Sequence, residues 1–69
     1  MTNTTSQPDL SVIIVNYNGG GELISCLKSL ADAEEDLLIE VIVVDNGSSD
    51  DSLMRAERTF TGYTFIRAG

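Results

Sequence analysis

Three short apolar runs along the chain predict β-strands. Each run is rich in β-branched or aromatic residues and is bounded by polar turn residues, at positions 10–15, 39–44 and 63–67. The first two runs are apolar at nearly every position rather than alternating, which is typical of strands in a parallel sheet.

The segments between these runs have the periodicity of helices. From Glu22 onward, apolar residues recur at intervals of three and four. The apolar residues of a second segment, after position 50, recur at the same intervals. The predicted buried stripes are Leu23, Leu27 and Leu30 in the first helix, and Leu53, Ala56 and Phe60 in the second. Strand, helix, strand, helix, strand is an α/β order, and it predicts a Rossmann-like βαβαβ half with parallel strands.

Details of the two helices can also be predicted. Ser48 or Ser49 is well placed to cap the second helix, with Asp50 and Asp51 in its first turn, where acids suit the positive end of the helix dipole. Cys26 lies beside the apolar positions of the first helix, and we expect it to be a core thiol.

The handedness of the connections leaves one face of the sheet without a cover. Right-handed crossovers between successive neighbouring strands place both helices on the same face. We therefore expect an uncovered apolar face that either the rest of a longer chain or a second copy would cover, the latter giving a homo-oligomer.

The net charge and the lengths of the apolar runs limit the partners and locations that fit this chain. The 69 residues carry 4 basic and 11 acidic side chains, a formal net charge of −7, which disfavours nucleic acid and anionic membranes as direct partners. Residues 1–9 are polar and predict a disordered lead-in rather than a signal peptide, which leaves residues 10–69 as the expected domain. No apolar run is long enough to predict a transmembrane segment. A cytoplasmic location is expected.

Two loops follow the carboxyl ends of the first two strands, where open α/β sheets bind ligands. They are residues 16–21 and 45–51. Asp45, at a strand end, could accept hydrogen bonds from a ribose hydroxyl or a base N–H, and Tyr17 could offer its ring to a base. These loops form the candidate binding site.

Two known phosphate-binding motifs fit these loops poorly. A Walker P-loop needs Gly-Lys-Ser/Thr after its glycines, and none follows here. Gly19 and Gly21 match the first two glycines of the dinucleotide fingerprint, and Asp45 lies at about the expected distance. The third small residue, however, is replaced by Ile24, whose bulk hinders close packing of helix and strand.

A third interpretation comes from resemblance. The stretches Ser-Val-Ile-Ile-Val-Asn-Tyr-Asn at 11–18 and Glu-Val-Ile-Val-Val-Asp-Asn-Gly-Ser-Ser-Asp at 40–50, with Leu-Lys-Ser-Leu at 27–30 between them, resemble the opening of family-two inverting glycosyltransferases. The Val-Asn-Tyr-Asn-Gly form is similar to their rhamnosyltransferase-like branch. The resemblance covers about residues 10–67 and implies the N-terminal part of a nucleotide-diphospho-sugar transferase fold.

The resemblance also implies roles for particular residues. Val15 and Asn16 would line the nucleotide site, and Tyr17 would stack on or flank the base. Asp45 would hold the base or ribose, and Asn46 would brace its loop. The implied donor is a UDP- or dTDP-linked sugar, and the acceptor is a glycan or another hydroxyl compound.

The catalytic parts of such an enzyme are expected downstream of Gly69. The resemblance implies an Asp-x-Asp motif that holds Mg²⁺ or Mn²⁺ on the diphosphate, and an acidic general base. We predict neither catalytic residues nor metal ligands within this chain, and we expect it to be incomplete and inactive alone. The alternative is a non-catalytic α/β module that self-associates through its uncovered face.

Overall fold

The computed structural model describes residues 8–69, in which strands and helices alternate along the chain. The elements are β1 (Leu10–Asn16), α1 (Gly21–Ala33), β2 (Ile39–Asp45), α2 (Ser52–Thr59) and β3 (Thr64–Arg67). The predicted α/β fold is confirmed, and the strand bounds differ from the expected ones by one residue. Residues 1–7 of the predicted lead-in lie outside the described part of the chain. Asp9, at its end, exchanges backbone and side-chain hydrogen bonds with Leu38.

The three strands form one parallel sheet in the order β1-β2-β3. β1 pairs with β2 without a shift from Leu10↔Ile39 to Asn16↔Asp45, and β2 pairs with β3 from Ile42↔Thr64 to Asp45↔Arg67. Because paired residues in parallel strands point to the same side, Asn16, Asp45 and Arg67 share one face at the carboxyl edge.

Both helices pack on one face of the sheet, and the core lies between the helices and this face. The buried apolar side chains are Leu23, Leu27, Ile39, Val41, Val43, Leu53 and Ala56. The predicted helix stripes supply most of this core, with Leu30 and Phe60 packed against it while half-buried. The central strand β2 contributes every second residue, as a strand with one covered face should.

The opposite face of the sheet is uncovered by any of residues 8–69. The side chains that alternate onto it include Ile13 and Val15 of β1 and Ile66 of β3, all of them exposed, and the half-buried Ile42 and Val44 of β2. This face, called the bare face below, is flanked by the hydrogen bond from Ser11 Oγ to Glu40 Oε1, 2.8 Å long. The expected uncovered apolar face is therefore present in the described part of the chain.

Two local predictions about the helices are wrong. α2 begins at Ser52 instead of directly after Ser48 or Ser49, so neither serine caps it, and Asp50 and Asp51 precede the helix rather than occupy its first turn. The N-cap position is Asp51, whose side chain makes no capping hydrogen bond. Asp50, one residue before the cap, accepts the backbone N–H of Ser52 with its Oδ1 at 3.1 Å. Cys26 is exposed rather than a core thiol, since Leu23 and Leu27 centre the buried stripe of α1 and leave position 26 at its margin. Across residues 8–69, α1 and α2 are both too short and too polar to cross a bilayer.

Candidate functional site

The two loops predicted to bind a ligand meet at the carboxyl edge of the sheet. Because β1 and β2 are adjacent and in register, Asn16 and Asp45 end their strands side by side. The backbone N–H of Asn46 donates to the carbonyl of Asn16 at 2.9 Å and extends the pairing by one residue. The topology thus brings together residues that are about thirty positions apart in sequence.

Asn16 is buried at this edge, only 4% exposed, and its amide is the centre of a polar network. The amide nitrogen lies 2.9 Å from Asp45 Oδ1, 2.9 Å from Ser52 Oγ and 3.2 Å from Ser48 Oγ. It therefore ties β1 to the loop after β2 and to the start of α2. A polar side chain buried so deeply needs such partners to offset its desolvation.

The backbone of Gly19 packs closely against the side chain of Asn16. A Cβ atom at position 19 would overlap Asn16 Oδ1, so only glycine leaves room for the amide in its present place. Gly20 follows with φ 56°, a left-handed conformation that suits glycine at the start of α1. The glycines set the turn into the helix, as their sequence pattern predicts.

Asp45 is the second member of the network and is 6% exposed. Its Oδ1 accepts from Ser48 Oγ at 2.6 Å and its Oδ2 accepts from the Ser48 backbone N–H at 3.0 Å. These bonds, above all that from the Ser48 hydroxyl, together with Asn16 and the Gly47 N–H, outweigh burial and hold the pKa of Asp45 below its ordinary value. Asp45 is an ionised, fixed acceptor whose lone pairs a ligand would have to share with these donors.

The other predicted site residues lie around this pair in different settings. Tyr17 follows Asn16 with its side chain 64% exposed, and Asn46 is exposed beside Asp45. Val15 is 69% exposed on the bare face, whereas Asn16 and Asp45 point to the helix-covered face. The structure joins Asn16, Asp45 and Asn46 directly, and places Tyr17 and Val15 next to them in the chain.

Sequence reasoning missed several side chains that connect the two loops. Asn18 has φ 51°, and its Oδ1 accepts the backbone N–H groups of Ser49 and Asp50. Ser48 bonds to Asp45, to Asn16 and to the N–H of Asn18. The available signal was an Asn directly before glycines, because Asn tolerates positive φ better than other non-glycine residues.

A cavity of about 260 Å³ opens beside the network, between the loop after β2, the start of α2 and the end of β3. Its walls include the acids Asp45 and Asp50 and the guanidinium of Arg67. Arg67 is held by α2, since its Nη1 donates to Glu57 Oε2 at 3.1 Å and its Nη2 donates to Oε1. The cavity is therefore lined by both carboxylate acceptors and a cationic residue.

The hydrogen bonds around this cavity shift the pKa values of its ionisable groups. Ser52, through its hydroxyl and its N–H, lowers the pKa of Asp50, and Arg67 lowers the pKa of Glu57. Glu57 in turn raises the pKa of Arg67. Asp50, Glu57 and Arg67 are consequently charged at neutral pH.

The side chains at this edge are poorly arranged for the divalent ion that the resemblance implies. Among residues 8–69, three or more His, Cys, Asp or Glu side chains nowhere come together as a metal-binding group. The carboxylate of Asp45 is engaged by Ser48 and Asn16, which further reduces its use as a ligand. The described residues therefore do not fit a Mg²⁺ or Mn²⁺ site.

An open parallel sheet with helices on one face and polar loops at its carboxyl edge defines a Rossmann-like α/β domain. The model of the family described as glycosyl transferase family 2 matches residues 11–68. The chain belongs to this family, and the predicted resemblance is confirmed.

A curated relative supports the same conclusion. The chain is 34% identical over 67 residues to an uncharacterized glycosyltransferase, YibD, of Escherichia coli strain K12. The match covers 97% of this chain and 19% of that protein, so the chain spans about a fifth of the length of this relative. No solved structure matches the chain significantly.

Proposed function

We propose that the chain is the donor-nucleotide-binding part of an inverting glycosyltransferase, which moves a sugar from a nucleotide diphosphate to a hydroxyl acceptor. The observation that carries the proposal is the meeting of two polar loops at the carboxyl edge of the sheet, around the buried Asn16–Asp45 pair. Family membership supports glycosyl transfer as the reaction class. The donor is a UDP- or dTDP-linked sugar, and the acceptor is a glycan or another hydroxyl compound.

The geometry supports different roles for the site residues. Tyr17 offers an exposed ring beside the site, suited to stacking on a base. Asp45 offers a fixed, ionised acceptor for a base N–H or a ribose hydroxyl. Asn16 is too deeply buried to present its amide to a ligand while it bonds to Asp45 and Ser52, so it supports the site by holding Asp45 in place.

The chemical step itself needs groups that residues 8–69 do not provide. A diphosphate leaving group carries developing negative charge, and the basic residues here are few and scattered. We propose that the whole protein uses Mg²⁺ or Mn²⁺ and a general base supplied outside these residues, so that the chain alone is inactive. Its cytoplasmic location stays a prediction.

Calorimetric titration of the chain with UDP and dTDP tests the proposal. We expect saturable binding, weakened about tenfold in Tyr17→Ala, which loses the ring, and little changed in Tyr17→Phe, which keeps it. Asp45→Asn keeps the shape of the side chain, removes its charge and should weaken binding as well. A folded chain that binds neither nucleotide at millimolar concentration contradicts the proposal.

The bare face favours a second candidate function, a non-catalytic module that self-associates. Exposed Ile13, Val15 and Ile66 form an apolar surface that a second copy could cover. Sedimentation at increasing concentration separates the two: a dimer that is lost in Ile13→Lys and binds no nucleotide supports the module. A monomer that binds UDP supports the donor-binding part.

A further inference from the structure

Asn18 connects the two loops that flank the candidate site through its own side chain. Its backbone has φ 51°, which Asn adopts more readily than other non-glycine residues. This conformation directs Oδ1 at the loop after β2, where it accepts the backbone N–H of Ser49 at 2.8 Å and that of Asp50 at 3.2 Å. One side chain thus satisfies two neighbouring donors of the other loop.

Two more hydrogen bonds run between the same loops. The backbone N–H of Asn18 donates to Ser48 Oγ at 2.8 Å, and the N–H of Gly20 donates to Asp50 Oδ2 at 3.1 Å. Donors and acceptors therefore lie on both loops. We call these contacts of Asn18 and Gly20 with residues 48–50 the loop clasp.

We propose that Asn18 is a positioning residue for nucleotide binding, a role that rests on the proposed function. Tyr17 lies between Asn16 and Asn18, and both of these neighbours are bonded to the loop that carries Asp45. The backbone of Tyr17 is thereby fixed from both sides while its ring stays exposed. Asn18 holds the stacking ring and the acidic acceptor at a constant separation.

The benefit of this arrangement is preorganisation. A loop that is ordered before binding does not lose conformational freedom when the ligand arrives, so affinity is higher for the same contacts. The clasp is exposed and lies at the edge of the sheet, away from the core around Leu27 and Val43. Its loss should therefore change affinity more than global stability.

The test compares Asn18→Gly with Ser11→Ala in the same chain. Glycine accepts φ 51° without strain but removes Oδ1, so the variant loses the acceptor and keeps the backbone conformation. Ser11→Ala is the matched control, because it removes a hydrogen bond that also joins β1 and β2, at the opposite edge. Asn18→Asp keeps an acceptor oxygen in a residue that also tolerates positive φ.

Two readouts are measured, amide hydrogen exchange and UDP affinity. In Asn18→Gly the amides of Ser49 and Asp50 should exchange at least about tenfold faster and UDP should bind about tenfold more weakly, with core amides such as Val43 unchanged. Asn18→Asp should keep both loop amides protected, and Ser11→Ala should match the wild type in both readouts.

The outcomes separate this inference from the proposed function. If Asn18→Gly binds UDP with wild-type affinity, the inference is overturned and the proposed function stands. The inference is also overturned if binding weakens together with faster exchange throughout the core, because the substitution then acts on the stability of the whole fold. Absence of binding of both UDP and dTDP by the wild type contradicts the proposed function, and the positioning role fails with it, even where the exchange data confirm the clasp; where only dTDP binds, the affinities of the variants are measured with dTDP.

Discussion

The two faces of the sheet carry similar β-branched side chains and differ in what lies on them. Val43 points to the helices and is 0% exposed, whereas Val15, on the neighbouring strand, points the other way and is 69% exposed. Burial of such a side chain stabilises a fold by about 1.5 to 3 kcal/mol. The helix-covered face therefore supplies the stability of the described residues, and the bare face supplies little.

The carboxyl edge, where the polar network lies, depends on the covered face. Asn16 and Asp45 end the strands with their side chains on the helix side, and Ser52 of α2 completes their hydrogen bonds. The site is thus built against the half of the molecule that is already packed. The site geometry can therefore persist while the bare face lacks a cover.

The largest change in the free energy of unfolding is expected when the same substitution is made on each of the two faces. Val43→Ala should lower the free energy of unfolding by about 2 kcal/mol, because it removes buried methyl groups and leaves a cavity. Val15→Ala should lower it by less than about 0.5 kcal/mol, since that side chain is mostly exposed. Urea denaturation measures both, and equal losses would show that the bare face is covered in solution.

A smaller effect is expected at the carboxyl edge. Gly19→Ala should cost about 1 to 2 kcal/mol, because the new Cβ displaces Asn16 Oδ1 from its buried position. Gly21→Ala is the matched control, since its Cβ meets no atom within 4 Å and alanine suits the first residue of α1. The measurement is again urea denaturation. A neutral Gly19→Ala would mean that Asn16 is not held where the structure places it.

The smallest effect concerns pH. The pKa of Asp45 is lowered in the folded chain, chiefly by Ser48, so its ionised form stabilises the fold above its unfolded pKa of about 4. That contribution is lost as the pH falls through the lower, folded pKa. The pKa values of Asp50 and Glu57 are also lowered in the folded chain, so their contributions to stability are lost in the same way as the pH falls.

We therefore expect the free energy of unfolding to decrease below about pH 4. Ser48→Ala should make this decrease shallower, because it removes the largest cause of the lowered pKa of Asp45. Denaturation at several pH values measures the slope. A slope in Ser48→Ala identical to that of the wild type would contradict the assignment.

Most of the fold could be predicted from the sequence because it depends on periodic, local signals. The apolar runs predict the strands, the leucines of α1 predict its buried face, and connection handedness predicts the bare face. The start of α2 could not be predicted in the same way. Several serines and aspartates precede it, and Asp50 beside the helix start is held by the N–H groups of both Ser52 and Gly20, a residue of the other loop.

The candidate site was predictable only as a location. Strand ends and the family resemblance identify Asn16, Tyr17 and Asp45, but not which way their side chains point. The alternation along β1 puts Val15 on the bare face and Asn16 inside, and this follows from which face the helices cover. Asn18 was missed because its role depends on contacts about thirty residues away.

The most direct test of the account is a residue-resolved NMR titration of the chain with UDP, which reports on both regions at once. We expect saturable shifts confined to the two loops at the carboxyl edge, with Tyr17, Asp45 and Asn46 among them, and unchanged signals for Ile13 and Ile66 on the bare face. Shifts centred on the bare face, or no shifts with either UDP or dTDP at millimolar concentration in a folded chain, would contradict the donor-binding role.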